Sequence, residues 1–446
     1  MTEKRENWSG QWGFILATIG SAVGLGNIWR FPYLAGTNGG GAFVLVYFGL
    51  LFLFGMPLML AEFAIGRHGQ SNVCDCWRAI GKRFVWIGGM GIVTCSLILT
   101  FYGMIGGWIV YYLVDGFVTS GQATAEASLE HFNTFSSGIT TPVGCQLFFM
   151  LLTGGITYFG VSKGLERMNV IMMPALFVLL LLLLPRAIWL PDASKGIAFM
   201  LTPDFSKITP KVIVDAVGQV FFSLSIGLSC LIAYAGYLKK DVPLLRCSSM
   251  VILADTLVAV ATGVIVMTVV FSCGANPGQG PELLFVTLPS LFTTIPGGYY
   301  FGIAFFALVF LAALSSSISL LEPLVAYIMD KFRISRQKSV VLCTIAVSAV
   351  GVLHVLSMGD TLSGFKVCGK TFFELTEFIA CNVLIVFGGF CTCIVVGYFW
   401  GIKKAADEIA QGGKHFFPGA SLWGIMIKYF APIGIIIIFI NELLAG

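Results

Sequence analysis

Eleven apolar runs, each long enough to cross a bilayer as a helix, follow one another along this chain with short charged connections between them. They cover roughly residues 13–36, 41–66, 88–118, 142–160, 166–186, 211–238, 246–273, 298–330, 339–357, 372–400 and 420–444. Hydrophobic residues make up 57% of the 446 positions and charged ones 11%, against about 25% charged in soluble domains. The chain therefore reads as an all-α membrane protein, one transmembrane domain over 1–446. Residues 1–12 are charged and the first run is long enough to span, so no cleaved leader is expected.

The cations give the orientation. With the N-terminus inside, most of the 26 Lys and Arg residues fall on the cytoplasmic side, among them Arg67, Arg78, Lys163, Lys239, Arg333 and Lys403. The outer connections 119–141 and 274–297 have neither residue type. Positive-inside bias predicts a cytoplasmic N-terminus and, after eleven crossings, an extracytoplasmic C-terminus. The net charge of +4 belongs to these loops and gives no sign of nucleic-acid binding. The lone glycosylation triplet, Asn7-Trp8-Ser9, lies on the cytoplasmic side, which fits a prokaryotic plasma membrane, the inner one where there are two. Most of the 12 cysteines sit within runs, where Cys acts as a small hydrophobe. The pairs Cys74/Cys76 and Cys391/Cys393 have no second pair or nearby His to complete a metal site.

Two runs are interrupted at their centres. In the first, Gly20-Ser21-Ala22-Val23-Gly24-Leu25-Gly26-Asn27 crowds three glycines and an asparagine into the apolar stretch. In the sixth, Ser223-Leu224-Ser225-Ile226-Gly227-Leu228-Ser229 does the same with serines. Freed amides and carbonyls cost several kcal/mol each in hydrocarbon unless something polar meets them. Interrupted helices in corresponding positions of two halves are the sequence mark of a transporter site at mid-membrane. The halves would be about 13–186 and 211–400, five runs each and inverted by the odd number, with 420–444 as one extra helix.

These residues also carry a resemblance. The run Gly20 to Pro32 with Asn38-Gly39-Gly40-Gly41-Ala42-Phe43, then Gly55-Met56-Pro57-Leu58-Met59-Leu60-Ala61-Glu62, Gly218-Gln219-Val220-Phe221-Phe222-Ser223-Leu224-Ser225 and Leu314-Ser315-Ser316-Ser317, resembles the neurotransmitter:sodium symporter family. Its bacterial leucine-transporter-like members match best, from Trp8 to about Trp423. The resemblance implies the leucine-transporter fold, a 5+5 inverted repeat with helices 1 and 6 broken. It implies sodium-coupled symport of an amino acid by alternating access, with two sodium ions and no organic cofactor.

Carried over by position, the first sodium ion would meet the Ala22 carbonyl, the Asn27 side chain, Ser223 and Asp255. The second would meet the carbonyls of Gly20, Val23 and Ala312 and the hydroxyls of Ser315 and Ser316. All are hard oxygen donors suited to a small alkali cation. Asp255 departs from the family's usual Asn. It reads either as a cation ligand or as a built-in replacement for the chloride that some relatives hold near the positions of Tyr47, Gln219 and Ser223. Chloride-independent transport is the expectation.

Amine carriers of the family place Asp where this chain has Gly24, which leaves room here for a substrate carboxylate. That group would meet the amides of Gly24, Leu25 and Gly26 and the Tyr102 hydroxyl. The substrate ammonium would meet carbonyls near Ala22, Phe222 and Ser225, beside Ser223. Ile98, Phe222, Leu228, Ser316 and Leu320 would select the side chain, favouring a hydrophobic or aromatic L-amino acid. An outer gate would pair Arg30 with Glu377, with Glu374 as alternative; an inner gate would pair Arg5 with Asp330, packed by Trp8 and Tyr237. Glu62 would cap the opened stretch of the sixth run. Gly164 and Pro174 bracket a turn of the fifth run that is able to unwind.

Two other classes compete: a sodium-independent facilitator or channel, and a transporter-like sensor. No arrangement of His, Cys, Asp and Glu points to an enzyme. The oligomeric state stays open. The lipid bilayer, sodium and an amino acid are the expected partners.

Overall fold

Hydrocarbon forces each backbone group to find its partner within the protein, and every apolar run of this chain answers by becoming a helix. The computed structural model describes residues 6–116, 124–278, 283–359, 361–362, 364–411, 413–415 and 417–445. Among the described residues, eight continuous helices are long and apolar enough to cross a membrane. These are Gly41–Gly69, Lys82–Val114, Val161–Ile188, Leu244–Ser272, Gly298–Phe332, Arg336–Met358, Phe372–Ile409 and Ala420–Ile440. The first span is a bent pair, Gln11–Ala22 and Gly26–Thr37, at 48°. The fourth, Thr140–Tyr158, meets the amphipathic helix Glu126–Ser137 at 76°. The sixth is Pro210–Ser223 followed, after an irregular stretch, by Cys230–Ala235. Strand pairing among the described residues is limited to two isolated bridges, Gly40–Pro203 and Val367–Lys370.

By length and composition these make up to ten crossings among the described residues, and the interrupted Pro210–Ser223 and Cys230–Ala235 stand where the hydropathy placed the remaining run. The third helix starts at Lys82 and the tenth ends at Ile409, each beyond its apolar run. The first span packs against the fifth, seventh and eighth, and the second span contacts both halves of the sixth. The third, fourth, eighth and ninth spans pack on one another as a second group. Glycine permits the closest of these approaches. A Cβ on Gly66 would lie 2.3 Å from the Ile232 carbonyl oxygen.

Between Gly164 and Pro174 the fifth span is helical here: a wide turn over Val161–Glu166 passes into Arg167–Ile188, with Pro174 inside. The loosened turn that the Gly–Pro spacing allows is not the conformation seen.

Candidate functional site

The first span stops at Ala22, where Val23 adopts an extended ψ of 93°. The Val23 amide still reaches the Ile19 carbonyl, but the Gly24 amide turns to the Asn27 side-chain oxygen at 3.2 Å. Asn27 thereby caps a break three residues before itself. The carbonyls of Gly20 and Ser21 accept the Ser316 hydroxyl, at 3.1 and 3.4 Å, and Ser21 also accepts the Ser225 hydroxyl at 3.0 Å.

The sixth span opens more widely. Ser225, Gly227 and Ser229 all have positive φ, at 54°, 81° and 69°. A Cβ on Gly227 would meet the Ile385 carbonyl at 2.2 Å, so both conformation and space require glycine there. Its amide donates to the buried Glu62 carboxylate at 2.7 Å. A side chain of the second span therefore caps the opened stretch of the sixth.

Asp255 is completely buried at the centre of this arrangement. Its carboxylate accepts from Asn27 at 2.8 Å, from Ser223 at 2.7 Å and from Tyr47 at 3.1 Å, and its backbone carbonyl accepts a further Asn27 contact at 3.1 Å. Gln219 donates to the Gly26 carbonyl at 2.8 Å, and Thr262 to the Asn27 carbonyl at 2.9 Å. Three neutral donors satisfy the lone pairs of this carboxylate but bring no positive charge to it. Ser315 donates to the Ala312 carbonyl at 3.0 Å within the eighth span, and its Cβ lies against Gly20 of the first.

Between the two breaks lies a cavity of about 30 Å³, lined by Ala22, Gly24, Leu25, Gly26, Ile98 and Tyr102 from one side. Phe222, Ser225, Leu228, Ser316 and Leu320 close the other. Ser223 is not in the lining; its hydroxyl is turned to Asp255. Two residues missed by the sequence reading also line it, Ser21 and Ser319, joined hydroxyl to hydroxyl at 2.9 Å. Tyr102 points its buried hydroxyl toward Gly24, with the Ser316 hydroxyl and the Leu25 amide close by, and makes no well-formed hydrogen bond to a described residue.

On one side of the cavity, Arg30 lies over the Phe222 ring, 5.1 Å from its centroid, and donates to the Gly218 carbonyl at 3.2 Å. Glu377, Cys381 and Tyr33 are within electrostatic reach of it. The alternative acid, Glu374, is engaged in a capping box with Thr371 at the start of its own helix. At the opposite face, Trp8 donates from its indole to the Tyr234 carbonyl at 2.8 Å and packs edge-on against Tyr237. Arg5 lies outside the described residues. Asp330 accepts from Asn72 at 2.8 Å. An ion pair described at this face joins Glu322 with Arg336, and the Tyr237 hydroxyl donates to the same carboxylate at 2.7 Å. Nothing in the sequence linked those three, since their spacing matches no local pattern.

Two helices opened inside apolar spans, with oxygen donors and a pocket between them, define the class of secondary transporters. A model of the Sodium:neurotransmitter symporter family matches residues 5–134 and 122–445. The chain belongs to that family. It is 37% identical over 451 residues, 98% of each chain, to an uncharacterized sodium-dependent transporter, YhdH, of Bacillus subtilis. A match at 28% identity to the sodium-dependent serotonin transporter of Drosophila melanogaster covers all of this chain and 77% of that one. The crystal structure of MhsT in complex with L-phenylalanine superposes with a TM-score of 0.89 at 40% identity, over 98% of this chain and 100% of that one. The protein is a sodium-dependent, multi-pass membrane transporter of leucine-transporter fold, and not an enzyme.

Proposed function

We propose that this transporter imports a hydrophobic or aromatic L-amino acid by alternating access, coupled to two sodium ions and without chloride. The observation that carries the reading is the Tyr102 hydroxyl, buried opposite Gly24 at the open end of the first span, beside Ser316 and the Leu25 amide but without a well-formed hydrogen bond. A donor held there, beside the amides of Gly24, Leu25 and Gly26, suits an α-carboxylate. Ile98, Phe222, Leu228 and Leu320 offer the side chain an apolar wall, with the Ser21–Ser319 hydroxyls at one edge. The L-phenylalanine bound in MhsT agrees with these walls in character. At about 30 Å³ the cavity is far below the roughly 300 Å³ of an ordinary ligand site, so Phe222, Leu228 and Leu320 move outward on binding.

In this reading the first ion takes the Ala22 carbonyl, Asn27, Ser223 and Asp255, and the second takes Gly20, Val23, Ala312, Ser315 and Ser316. Asp255 supplies the negative charge that removes the need for chloride. Arg30 with Glu377 closes the outer side, and Trp8, Tyr237 and the Arg5–Asp330 pair close the inner side, the N-terminus being cytoplasmic. Each cation crossing 100 mV contributes about 2.3 kcal/mol, and a tenfold gradient about 1.4 kcal/mol more. Two ions support about 10⁵-fold accumulation of a zwitterion, and one ion about its square root.

Uptake of radiolabelled phenylalanine, leucine, glycine and glutamate into proteoliposomes tests this. Phenylalanine and leucine accumulate when sodium is outside, lose uptake when choline replaces sodium, and keep it when gluconate replaces chloride. Accumulation that survives in choline, or needs chloride, overturns the reading.

A further inference from the structure

Asn169, in the first third of the fifth span, has its side chain completely buried and its amide oxygen without a hydrogen-bond partner among the described residues. Its amide nitrogen donates to the Leu165 carbonyl at 2.8 Å. That contact sets the orientation, because the opposite assignment would face oxygen against oxygen. The unpartnered oxygen is consequently held toward Gly20. A Cβ added to Gly20 would lie 2.2 Å from it and 3.1 Å from the Ser315 Cβ. Asn169 and Ser315 thus converge on one backbone position, the last turn before the first span opens, whose carbonyl already accepts from Ser316. A buried acceptor left bare is costly, and where the first, fifth and eighth spans meet a hard cation would satisfy it.

We propose that the Asn169 amide oxygen is a further ligand of the second sodium ion, supplied by the fifth span. The inference rests on the two-sodium reading above. Every other donor assigned to that ion comes from the first or eighth span, so Asn169 makes ion occupancy felt by a third helix. It stands between Gly164 and Pro174, five residues from each, in the turn whose spacing permits unwinding. With the ion held, Asn169 keeps that turn helical. When the turn loosens, one donor withdraws and the ion's grip weakens.

The test reads sodium binding without transport. Thermal unfolding of the purified full chain in detergent is followed as sodium chloride replaces choline chloride, with no amino acid present. Asn169→Leu keeps the volume and removes the oxygen; Asn169→Asp keeps an oxygen there, and both lose the Leu165 contact. The Leu variant should need at least fivefold more sodium for half-maximal stabilisation, and the Asp variant should stay within twofold of the natural protein or bind more tightly. Lithium titration of the same set should show a changed sodium-to-lithium preference in the Leu variant alone. A Leu variant that titrates like the natural protein overturns the inference, and so do Leu and Asp variants shifted equally. If the Leu variant does not fold, Asn169→Ala against Asn169→Asp makes the same comparison. Absence of any sodium effect on the natural protein overturns the two-sodium reading itself, a result separable from failure at Asn169.

Discussion

The two broken helices solve the same problem by different means. The first span opens over Val23–Leu25 and supplies its own cap, the Asn27 side chain folding back onto the Gly24 amide. The sixth opens over six residues, with three of them in left-handed conformations, and takes its cap from Glu62 in the second span. A self-capped break holds its shape wherever the helix goes. A break capped from elsewhere depends on two spans staying together. The first is therefore suited to hold ions at fixed geometry, and the second to respond when its neighbours move.

The largest effect expected from this contrast is at Glu62. Glu62→Ala leaves the Gly227 amide bare in the core, costing about 1–3 kcal/mol plus the cavity, while Glu62→Gln keeps an acceptor. Thermal unfolding of the two variants should differ by several degrees, the Ala variant lower, and uptake should follow the same order. Gly24→Asp comes next. Its Cβ would sit 2.5 Å from the Ser316 hydroxyl and its carboxylate would repel the substrate's. Phenylalanine uptake should fall about 100-fold, roughly 2.7 kcal/mol, and the unfolding midpoint should drop too, because the clash and the buried charge both lie in the core.

Asn27→Ala removes the cap of the first break and one donor to Asp255 together. Half-maximal sodium should rise about tenfold in uptake assays, about 1.4 kcal/mol. A loss of stability as large as that of Glu62→Ala would erase the distinction between the two breaks. Asp255→Asn keeps the shape and removes the charge. Transport in gluconate should fall several-fold and recover at least in part with chloride, measured by anion replacement in proteoliposomes. The smallest effect is at Ser229, where φ is 69° without a glycine. Ser229→Gly relieves up to about 1 kcal/mol of backbone strain and should raise the unfolding midpoint slightly.

Much of the site was readable because its pieces are contiguous. Gly20 to Asn27 lie within eight positions, and the glycines announce a break whatever surrounds them. Tyr102, Asp255 and Ser316 entered only through resemblance, since a single Tyr or Ser in an apolar run carries no local signal. Ser319 and Ser21 escaped because they meet across 298 positions, and Glu322, Arg336 and Tyr237 because three separate elements bring them together. Asn169 escaped for another reason. An asparagine in a span is polar in any reading, but that its oxygen lacks a donor is visible only when every neighbour is in place.

Apolar run length, charge between runs and glycine crowding determined the number of crossings and the place of the first break. Those properties act within a few turns of helix, where the backbone's need for hydrogen bonds in lipid leaves one solution. The meeting of Ser21 with Ser319, the cluster of Glu322, Arg336 and Tyr237, and the aim of the Asn169 oxygen were decided by packing between spans. Such pairings depend on distances between residues far apart in the chain, and only the folded bundle sets those distances.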